Sequence, residues 1–221
     1  MLIGLTLVER RTYQGEIIMS EKQRFHHGDL KNAALREGLK IIETRGYQQV
    51  EIKTIAQACG VSSPSIYRHF KSKKDLMNAL LVKTSELFYD YLDYQNDQAK
   101  SPKEELIAMG IRFIRFSWEQ QHYFEFLFNS EFAYKVNYDH EQLSVEMNNH
   151  NSFSLFEKTV KRYLLAMQVK DNMEMHVINL WSYISGLAKV SDLIESGNKE
   201  QQLEGYVRNM MAIYTSGINK A

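Results

Sequence analysis

The sequence predicts an all-α protein in which an N-terminal three-helix head, containing a helix-turn-helix, precedes a larger C-terminal helical bundle, with about nine helices in total. Three observations predict this class. Only two prolines, Pro64 and Pro102, interrupt the 221 residues, so the turn signals that separate strands are scarce. Long segments carry apolar residues at helical spacing. Near the N-terminus, a glycine turn separates two short helical segments.

The composition excludes several classes of protein. Apolar residues make up 44% of the chain and charged residues 24%, the balance of a globular protein with enough apolar material for a core. Because Cys59 is the single cysteine, we expect a reducing, cytoplasmic location and no Cys-rich zinc site. The sequence lacks a glycine-rich phosphate loop, Gly-x-Ser-x-Gly and His-Glu-x-x-His, so we predict no enzymatic activity, no metal and no cofactor.

The first residues do not resemble a membrane anchor. The apolar run Leu2–Val8 is too short to span a bilayer, and no basic segment precedes it. We therefore predict no partnership with a membrane. The simplest interpretation is that translation begins at Met19 and that residues 1–25 form a flexible extension outside the fold.

Charge is divided between two parts of the chain although the total is zero. Residues 21–83 hold 12 Lys and Arg against 6 Asp and Glu, a net charge of +6, whereas residues 84–221 hold 13 against 19, a net charge of −6. This asymmetry indicates a basic module for a polyanion, joined to a body that does not touch it. Charged runs are usually only solvated faces. The motif that carries the charges must therefore show whether this module binds a polyanion.

The head contains three predicted helices. Apolar spacing predicts the first over 29–45, ending at Gly46, and a short second helix over 53–59. A tight turn at Gly60 leads into a third helix over 63–69. A short helix, a glycine turn and another short helix together form a helix-turn-helix.

The third predicted helix carries groups that suit DNA contact. In a recognition helix the N-terminal residues meet base edges, while flanking donors clamp phosphates. Small polar groups stand at its start, and aromatic and basic groups follow: Ser62, Ser63, Ser65, Tyr67, Arg68 and His69. Lys71, Lys73 and Lys74 come next, around the first turn of a fourth helix. Because lysines there oppose the helix dipole, their position favours a facing phosphate.

The fourth helix is longer and is predicted over about 73–98. Ser72 followed by Asp75 makes a capping-box-like start. Apolar residues from Leu76 to Leu92 can then pack on the bundle. This helix would join the head to the body and transmit shifts between them.

The stretch from Ile55 to Leu76, with its Tyr-x-His-Phe-x-x-Lys core beginning at Tyr67, resembles the signature of the tetracycline-repressor (TetR) family. The segment from His26 to Leu30 is similar to a subset of that family. The resemblance spans roughly residues 26–88. It implies a DNA-binding head, a helical C-terminal body that binds a small inducer, and a homodimer assembled through the last two helices.

The resemblance also implies roles for residues at matching positions. It implies phosphate contacts at Tyr67, His69 and Lys73. It implies that four residues lie nearest the bases: Ser63, Pro64, Ser65 and Arg68. Glu51 stands where the family usually has Thr or Ser at the cap of its second helix, so Thr54 is the alternative phosphate contact. Ser63-Pro64 replaces a common Lys-Gly pair, so the operator sequence is not carried over.

Domain boundaries follow from the same reasoning. We predict an extension over 1–25, a DNA-binding domain over 26–88 with its helix-turn-helix at about 51–70, and a ligand-binding and dimerisation domain over 89–221. Helical spacing in the last domain predicts five more helices, over 102–120, 122–130, 151–168, 172–195 and 199–217.

A ligand pocket is predicted in the aromatic segment 106–134. Most of its rings are expected in the core, but a pocket between helices needs apolar walls with a few polar handles. Arg112, Ser117, His122 and Tyr123 could supply these handles. We predict an unknown, mostly apolar or aromatic inducer and a pocket formed by Met109, Arg112, Phe113, Phe116, Ser117, Trp118, His122, Tyr123 and Trp181.

The last two predicted helices carry apolar residues at helical spacing, whose simplest role is internal packing. Pairing with a symmetry mate would instead form a four-helix interface. The residues predicted for that interface are Trp181, Ile184, Leu187, Ala188, Leu203, Val207, Met210, Met211 and Tyr214. Since one small recognition helix reads few base pairs, two heads about 34–36 Å apart would meet successive major grooves of a palindromic operator.

These features favour a ligand-responsive repressor in which inducer stabilises a head spacing that misfits the operator. A regulator that activates is one alternative. A DNA-binding protein without sequence preference is another, since its affinity would rest on phosphates alone. The small, nonbasic residues Ser63 to Ser65 at the start of the recognition helix argue against that second alternative. A small-molecule carrier or enzyme with the same head has no support from the sequence.

Overall fold

The fold is described from a computed structural model of the chain. The structure describes residues 29–94, 101–139, 142–145, 152–193 and 198–218. The predicted extension over 1–25 and the proposed start at Met19 lie outside the described residues.

Nine α-helices occur among the described residues and follow the predicted order. The head and its connection consist of α1 (Leu30–Arg45), α2 (Ile52–Ala58), α3 (Ser63–Tyr67) and α4 (Lys73–Asp93), with a 3-10 turn at Tyr47–Gln49. The body consists of α5 (Pro102–Glu119), α6 (Gln121–Phe128), α7 (Ser152–Ala166), α8 (Met173–Leu193) and α9 (Lys199–Ile218). The predicted helical class, with a helix-turn-helix head before a helical body, is confirmed.

A short antiparallel hairpin between α6 and α7 is a local addition to that class. Its strands are β1 (Val136–Asp139) and β2 (Gln142–Val145), with the first residue of β1 opposite the last of β2. The sequence predicts no strand here. Strands of four residues are too short for alternation to be distinguished from chance, and this segment has no Asn-Gly or Asp-Gly turn signal.

Side-chain caps explain where two of the longer helices begin. The Ser72 hydroxyl accepts a hydrogen bond from the Asp75 amide at 3.1 Å, and the Asp75 carboxylate accepts one from the Lys71 amide at 3.0 Å. The first bond satisfies an amide that the helix leaves free and confirms the predicted cap at Ser72, whereas the Asp75 carboxylate reaches the Lys71 amide instead of the Ser72 amide of a strict capping box. Ser101 caps α5 in the same way, accepting from the Glu104 amide at 3.2 Å.

One apolar core runs from the head into the body. Ile42, Ile55 and Ile66, from α1, α2 and α3, are completely buried in the head. Along α4, Leu80 packs against α1, and Phe88 makes edge-to-face contacts with rings of α5 and α6. Because α4 belongs to both parts, the boundary between 26–88 and 89–221 stays a prediction. Within the described part of the chain, no helix combines the length and apolar character needed to cross a membrane.

Candidate DNA-binding surface and ligand pocket

The helix-turn-helix is held together by a small apolar contact and a backbone turn. Cys59 at the end of α2 is buried with Ile66 of α3 in the same core. Burial raises the pKa of the Cys59 thiol, as expected for a packing role. Gly60 has a φ of +67°, and the Val61 amide donates to the Ala56 carbonyl at 2.9 Å. This positive φ favours glycine and lets the chain reverse between the two helices.

The outer side of α3 carries the residues predicted to contact DNA. Ile66 and Phe70 point into the core, so the polar groups lie on the opposite side. Tyr67 is 49% exposed. Ser62, Pro64, Arg68 and His69 are also exposed, while Ser63, Ser65 and Thr54 are half-buried. The structure therefore brings the predicted set together on the two short helices and at their ends.

Two hydroxyls and one guanidinium form a chain along α3. The oxygens of Ser62 and Ser65 lie 3.1 Å apart. Arg68 Nη2 donates to Ser65 Oγ at 3.0 Å. The three residues are spaced by three, so they share one side of the helix. The sequence places these residues near DNA but does not predict that they bond to one another.

The predicted lysines surround the beginning of α4. Lys71, Lys73 and Lys74 are all exposed. Among the described residues, none of their ammonium groups forms a salt bridge with a carboxylate within the 4.0 Å limit. Their charges are therefore available to a polyanion next to the exposed side of α3.

In the body, aromatic rings from four helices meet at Trp181 of α8. Phe113 of α5 and Phe128 of α6 lie 5.7 and 5.9 Å from it between ring centroids. Phe153 and Phe156 of α7 each lie 5.2 Å away. We call these five side chains the Trp181 cluster. It contains two residues of the predicted pocket, Phe113 and Trp181.

Other predicted pocket residues lie at the edge of this cluster or are engaged elsewhere. Phe116 packs on Phe88 with 4.6 Å between ring centroids, and Met109 is buried. Arg112 Nε donates to the Leu92 carbonyl at 2.8 Å, which ties α5 to α4. The two groups predicted to be handles on α5 are thus occupied, because Ser117 Oγ also donates, at 2.7 Å, to a backbone carbonyl of its own helix.

His122 and Tyr123, predicted as ligand handles, lie at the contact between α6 and the head. Tyr123 donates its hydroxyl to the Leu39 carbonyl of α1 at 3.1 Å. Burial, with a further effect of the Glu43 carboxylate, raises the pKa of Tyr123, so the hydroxyl keeps its proton. His122 lies beside Gly46, where a Cβ would stand 3.5 Å from His122 Nδ1. His122 and Tyr123 lie there because α6 packs along α1.

Four buried polar atoms of the described residues lack a hydrogen-bond partner: Trp118 Nε1, His122 Nδ1, Tyr134 OH and Thr159 Oγ1. Burial raises the pKa of Tyr134 to about 12, with a further effect of the Glu86 carboxylate, so its hydroxyl remains a donor at neutral pH. Thr159 is completely buried. Thr159 is not among the residues predicted from the sequence, although a hydroxyl three residues after Phe156 in an apolar stripe was a signal.

Residues 34–80 match the family model for bacterial regulatory proteins of the tetR family. That segment contains the helix-turn-helix and the lysines described above. The head of the chain is therefore a TetR-family DNA-binding domain. The resemblance drawn from Tyr67 to Lys73 is confirmed.

Solved structures share the fold of this chain. A Rhodococcus sp. RHA1 protein of unknown function matches with a TM-score of 0.63 and 14% identity over 89% of this chain and 98% of that one. A TetR-like transcriptional regulator from the same organism has a TM-score of 0.52 and 20% identity over 86% and 99%. RolR in complex with resorcinol has a TM-score of 0.55 and 14% identity over 81% and 86%. No curated protein matches the regulator by sequence.

The last two helices of the regulator turn the predicted interface residues inward. Five of these nine residues lie in the protomer's own core: Ile184, Ala188, Leu203, Val207 and Met211. The physical reason is close packing on α5, since a Cβ at Gly110 would stand 3.1 Å from Val207 and 3.3 Å from Ile184. Trp181 belongs to the Trp181 cluster, and Leu187, Met210 and Tyr214 are half-buried. The dimer interface itself stays a prediction.

The outer sides of α8 and α9 carry a different set of apolar side chains. Tyr183 is 54% exposed, Val190 52% and Ile213 66%. Ile213 lies in an open groove with Ala212, Ser216 and Gly217. We call the outer side of these two helices the α8–α9 face.

Proposed function

We propose that this regulator is a ligand-responsive repressor that binds a palindromic operator as a homodimer. The observation that carries the proposal is the exposed polar side of α3 beside the lysines that begin α4, inside the segment matched by the family model. A side of a short helix that is exposed, polar and flanked by positive charge suits entry into the major groove. The net charge of +6 over residues 21–83 supports the same partner.

The proposed division of roles follows position and chemistry. Ser63, Pro64 and Ser65 begin the recognition helix and lie nearest the bases. Phosphates are contacted by the residues that flank the start of the recognition helix, which are Tyr67, His69, the lysines and Thr54 of α2. Phosphate contacts fix register and orientation, whereas base contacts carry sequence preference.

The α8–α9 face supports the proposed homodimer. Apolar side chains such as Tyr183, Val190 and Ile213 cover adjacent helices, and a patch of this kind commonly marks an interaction site. Small residues lie among them, and nothing stands within 4 Å of a Cβ at Gly186 or Gly217. Two such helices against the same two of a symmetry mate form a four-helix interface.

The Trp181 cluster supports a small aromatic inducer. Its rings come from α5, α6, α7 and α8, so a ligand among them would change how these helices pack. Thr159 lies one turn from Phe156 of the cluster and has an unpaired buried hydroxyl, which could bond a polar substituent of the ligand. The RolR structure, which contains resorcinol, is consistent with a hydroxylated aromatic ligand on this fold.

Selection of bound duplexes from a random pool, at fixed physiological salt and without ligand, tests the proposed function. An enriched inverted repeat is expected. Flat enrichment would contradict the proposal and favour binding through phosphates alone. A reporter gene placed behind the selected repeat then distinguishes repression, the expected result, from activation.

A screen of small aromatic compounds against the protein bound to the selected repeat tests the ligand response. We expect a phenolic compound to lower operator affinity, because ligand and operator stabilise different head spacings. Binding of such a compound with unchanged operator affinity would contradict the proposed response while leaving the DNA-binding function intact.

A further inference from the structure

We propose that Arg68 reads a guanine in each half-site and that Ser65, with Ser62, positions its guanidinium for that contact. The inference rests on the proposed operator binding and deepens it. It assigns the base preference of Ser65 to its effect on Arg68 rather than to a contact of its own.

The backbone places Arg68 so that its side chain lies along the exposed side of α3. Arg68 directly follows the helix and keeps helical backbone angles, with φ −67° and ψ −24°. Long side chains in this conformation lean toward the N-terminus of their helix, over the residue three or four positions earlier. That residue is Ser65, and the bond of 3.0 Å from Arg68 Nη2 to Ser65 Oγ follows from this direction.

The hydroxyls of Ser62 and Ser65 form a hydrogen-bonded series with the Arg68 guanidinium. Ser65 Oγ accepts a hydrogen bond from Arg68 and lies 3.1 Å from Ser62 Oγ. The Ser65 hydroxyl can therefore donate a hydrogen bond to Ser62 Oγ in turn. Each group in this series therefore has a partner. A side chain held in this way loses less rotamer freedom when it binds, which is the advantage of a preorganised Arg over a free one.

The remaining donors of Arg68 match one base edge. A guanidinium has five N–H donors in a planar fork, and Ser65 uses one of them. Two others can bond the O6 and N7 acceptors of guanine in the major groove, the commonest specific contact of Arg with a base. No salt bridge holds Arg68 among the described residues, so its charge is not already neutralised.

The experiment compares variants by quantitative binding to every single-base substitution of the selected half-site. The wild type is expected to prefer guanine at one position by about tenfold or more. R68A is expected to abolish that preference and leave the other positions unchanged. R68K is expected to lose it as well, because an ammonium group cannot make the paired contact. The Arg68 side chain is exposed, and unchanged circular dichroism would confirm that each variant folds.

The serine variants test positioning. S65A is expected to lower guanine preference several-fold at the same position as R68A, and the double variant should equal R68A alone. S65T keeps a hydroxyl and should restore the preference, a result that a merely structural role would not give. K73A is the control, and it should weaken binding to all duplexes equally.

Three outcomes would overturn the inference. Equal weakening of all duplexes by R68A would make Arg68 a phosphate contact. A loss of preference in S65A at a different position from that of R68A would give Ser65 a base contact of its own. A wild type without any base preference would contradict both this inference and the proposed function, whereas the first two outcomes leave the proposed function standing.

Discussion

Residue Thr159 illustrates how a polar group inside an apolar stripe can mark a site. Its side chain is completely buried on α7, and its hydroxyl has no partner. A buried hydroxyl without a hydrogen bond lowers stability by about 1–3 kcal/mol. A ligand that supplies the missing bond would recover that loss.

We predict that T159V raises the free energy of unfolding by about 1 kcal/mol, because valine has nearly the same shape and no group left unpaired. Urea unfolding of the ligand-free protein measures this change. T84V is the matched control, since Thr84 is equally buried but donates to the Leu80 carbonyl at 3.0 Å. A loss of stability in T159V like that expected in T84V would contradict an unpaired hydroxyl.

Lys73 tests the proposed phosphate contacts. We predict that K73A weakens binding to all duplexes nearly equally and lowers the slope of log affinity against log salt by about 0.9 for each head, because each lost contact releases fewer counterions. A salt titration measures the slope. K158A, which removes an exposed lysine from α7 of the body, should leave it unchanged. If K73A lost affinity only for particular DNA sequences, Lys73 would not be a phosphate contact.

Site residues differ in how far the sequence can predict them. The set of residues predicted to contact DNA follows from a local motif, so its placement on α2 and α3 and around the start of α4 was predictable. The ligand handles were not, because hydrogen-bond partners depend on distant neighbours. Tyr123 bonds Leu39, which lies 84 positions away in sequence, and Arg112 bonds Leu92, which lies 20 positions away.

At the scale of elements, the cap of α4 links helix stability to the DNA-binding surface. Ser72 and Asp75 fix the first turn of α4, around which the predicted lysines lie. The Tyr-x-His-Phe motif thus ends directly at a capped helix. Local order at this point and the position of positive charge depend on the same hydrogen bonds.

We predict that S72A lowers the free energy of unfolding by about 1 kcal/mol through loss of the cap, and also weakens operator binding. Thermal unfolding and a binding titration measure the two effects. S72T keeps the hydroxyl and should preserve both properties. Normal operator affinity in an S72A protein of reduced stability would show that the cap does not position the lysines.

Elements that depend on periodicity were predictable to within a few residues, but two features were not. The hairpin β1–β2 is too short to give a periodic signal. The packing of α6 along α1, with Tyr47 stacked on Phe126 at 5.3 Å between centroids, depends on the arrangement of non-neighbouring helices. This contact gives the body a second connection to the head besides α4.

At the scale of the whole molecule, α8 is apolar on more than one side. Ile184 and Ala188 face the core, while Tyr183 and Val190 face outward. A helix that is apolar all round is normally covered on all sides, which favours a partner on the outer one. Periodicity alone did not separate the inner row from the outer row, so the residues named from the sequence for an interface include several that the structure buries in the core.

We predict that I213D separates the dimer into protomers, because a carboxylate buried in an apolar interface without a partner costs several kcal/mol. Sedimentation velocity measures the mass. L165D is the control, because Leu165 is 55% exposed but belongs to α7 and not to the α8–α9 face. A dimer of unchanged stability in I213D would place the interface elsewhere.

A binding titration at physiological salt tests most directly whether the protein binds DNA as a sequence-specific dimer. It compares the selected inverted repeat with the same duplex carrying one scrambled half-site. We predict two protomers on the repeat and a large loss of affinity on the scrambled duplex, because both recognition helices must meet their grooves together. Equal affinity for the two duplexes would contradict a sequence-specific dimer.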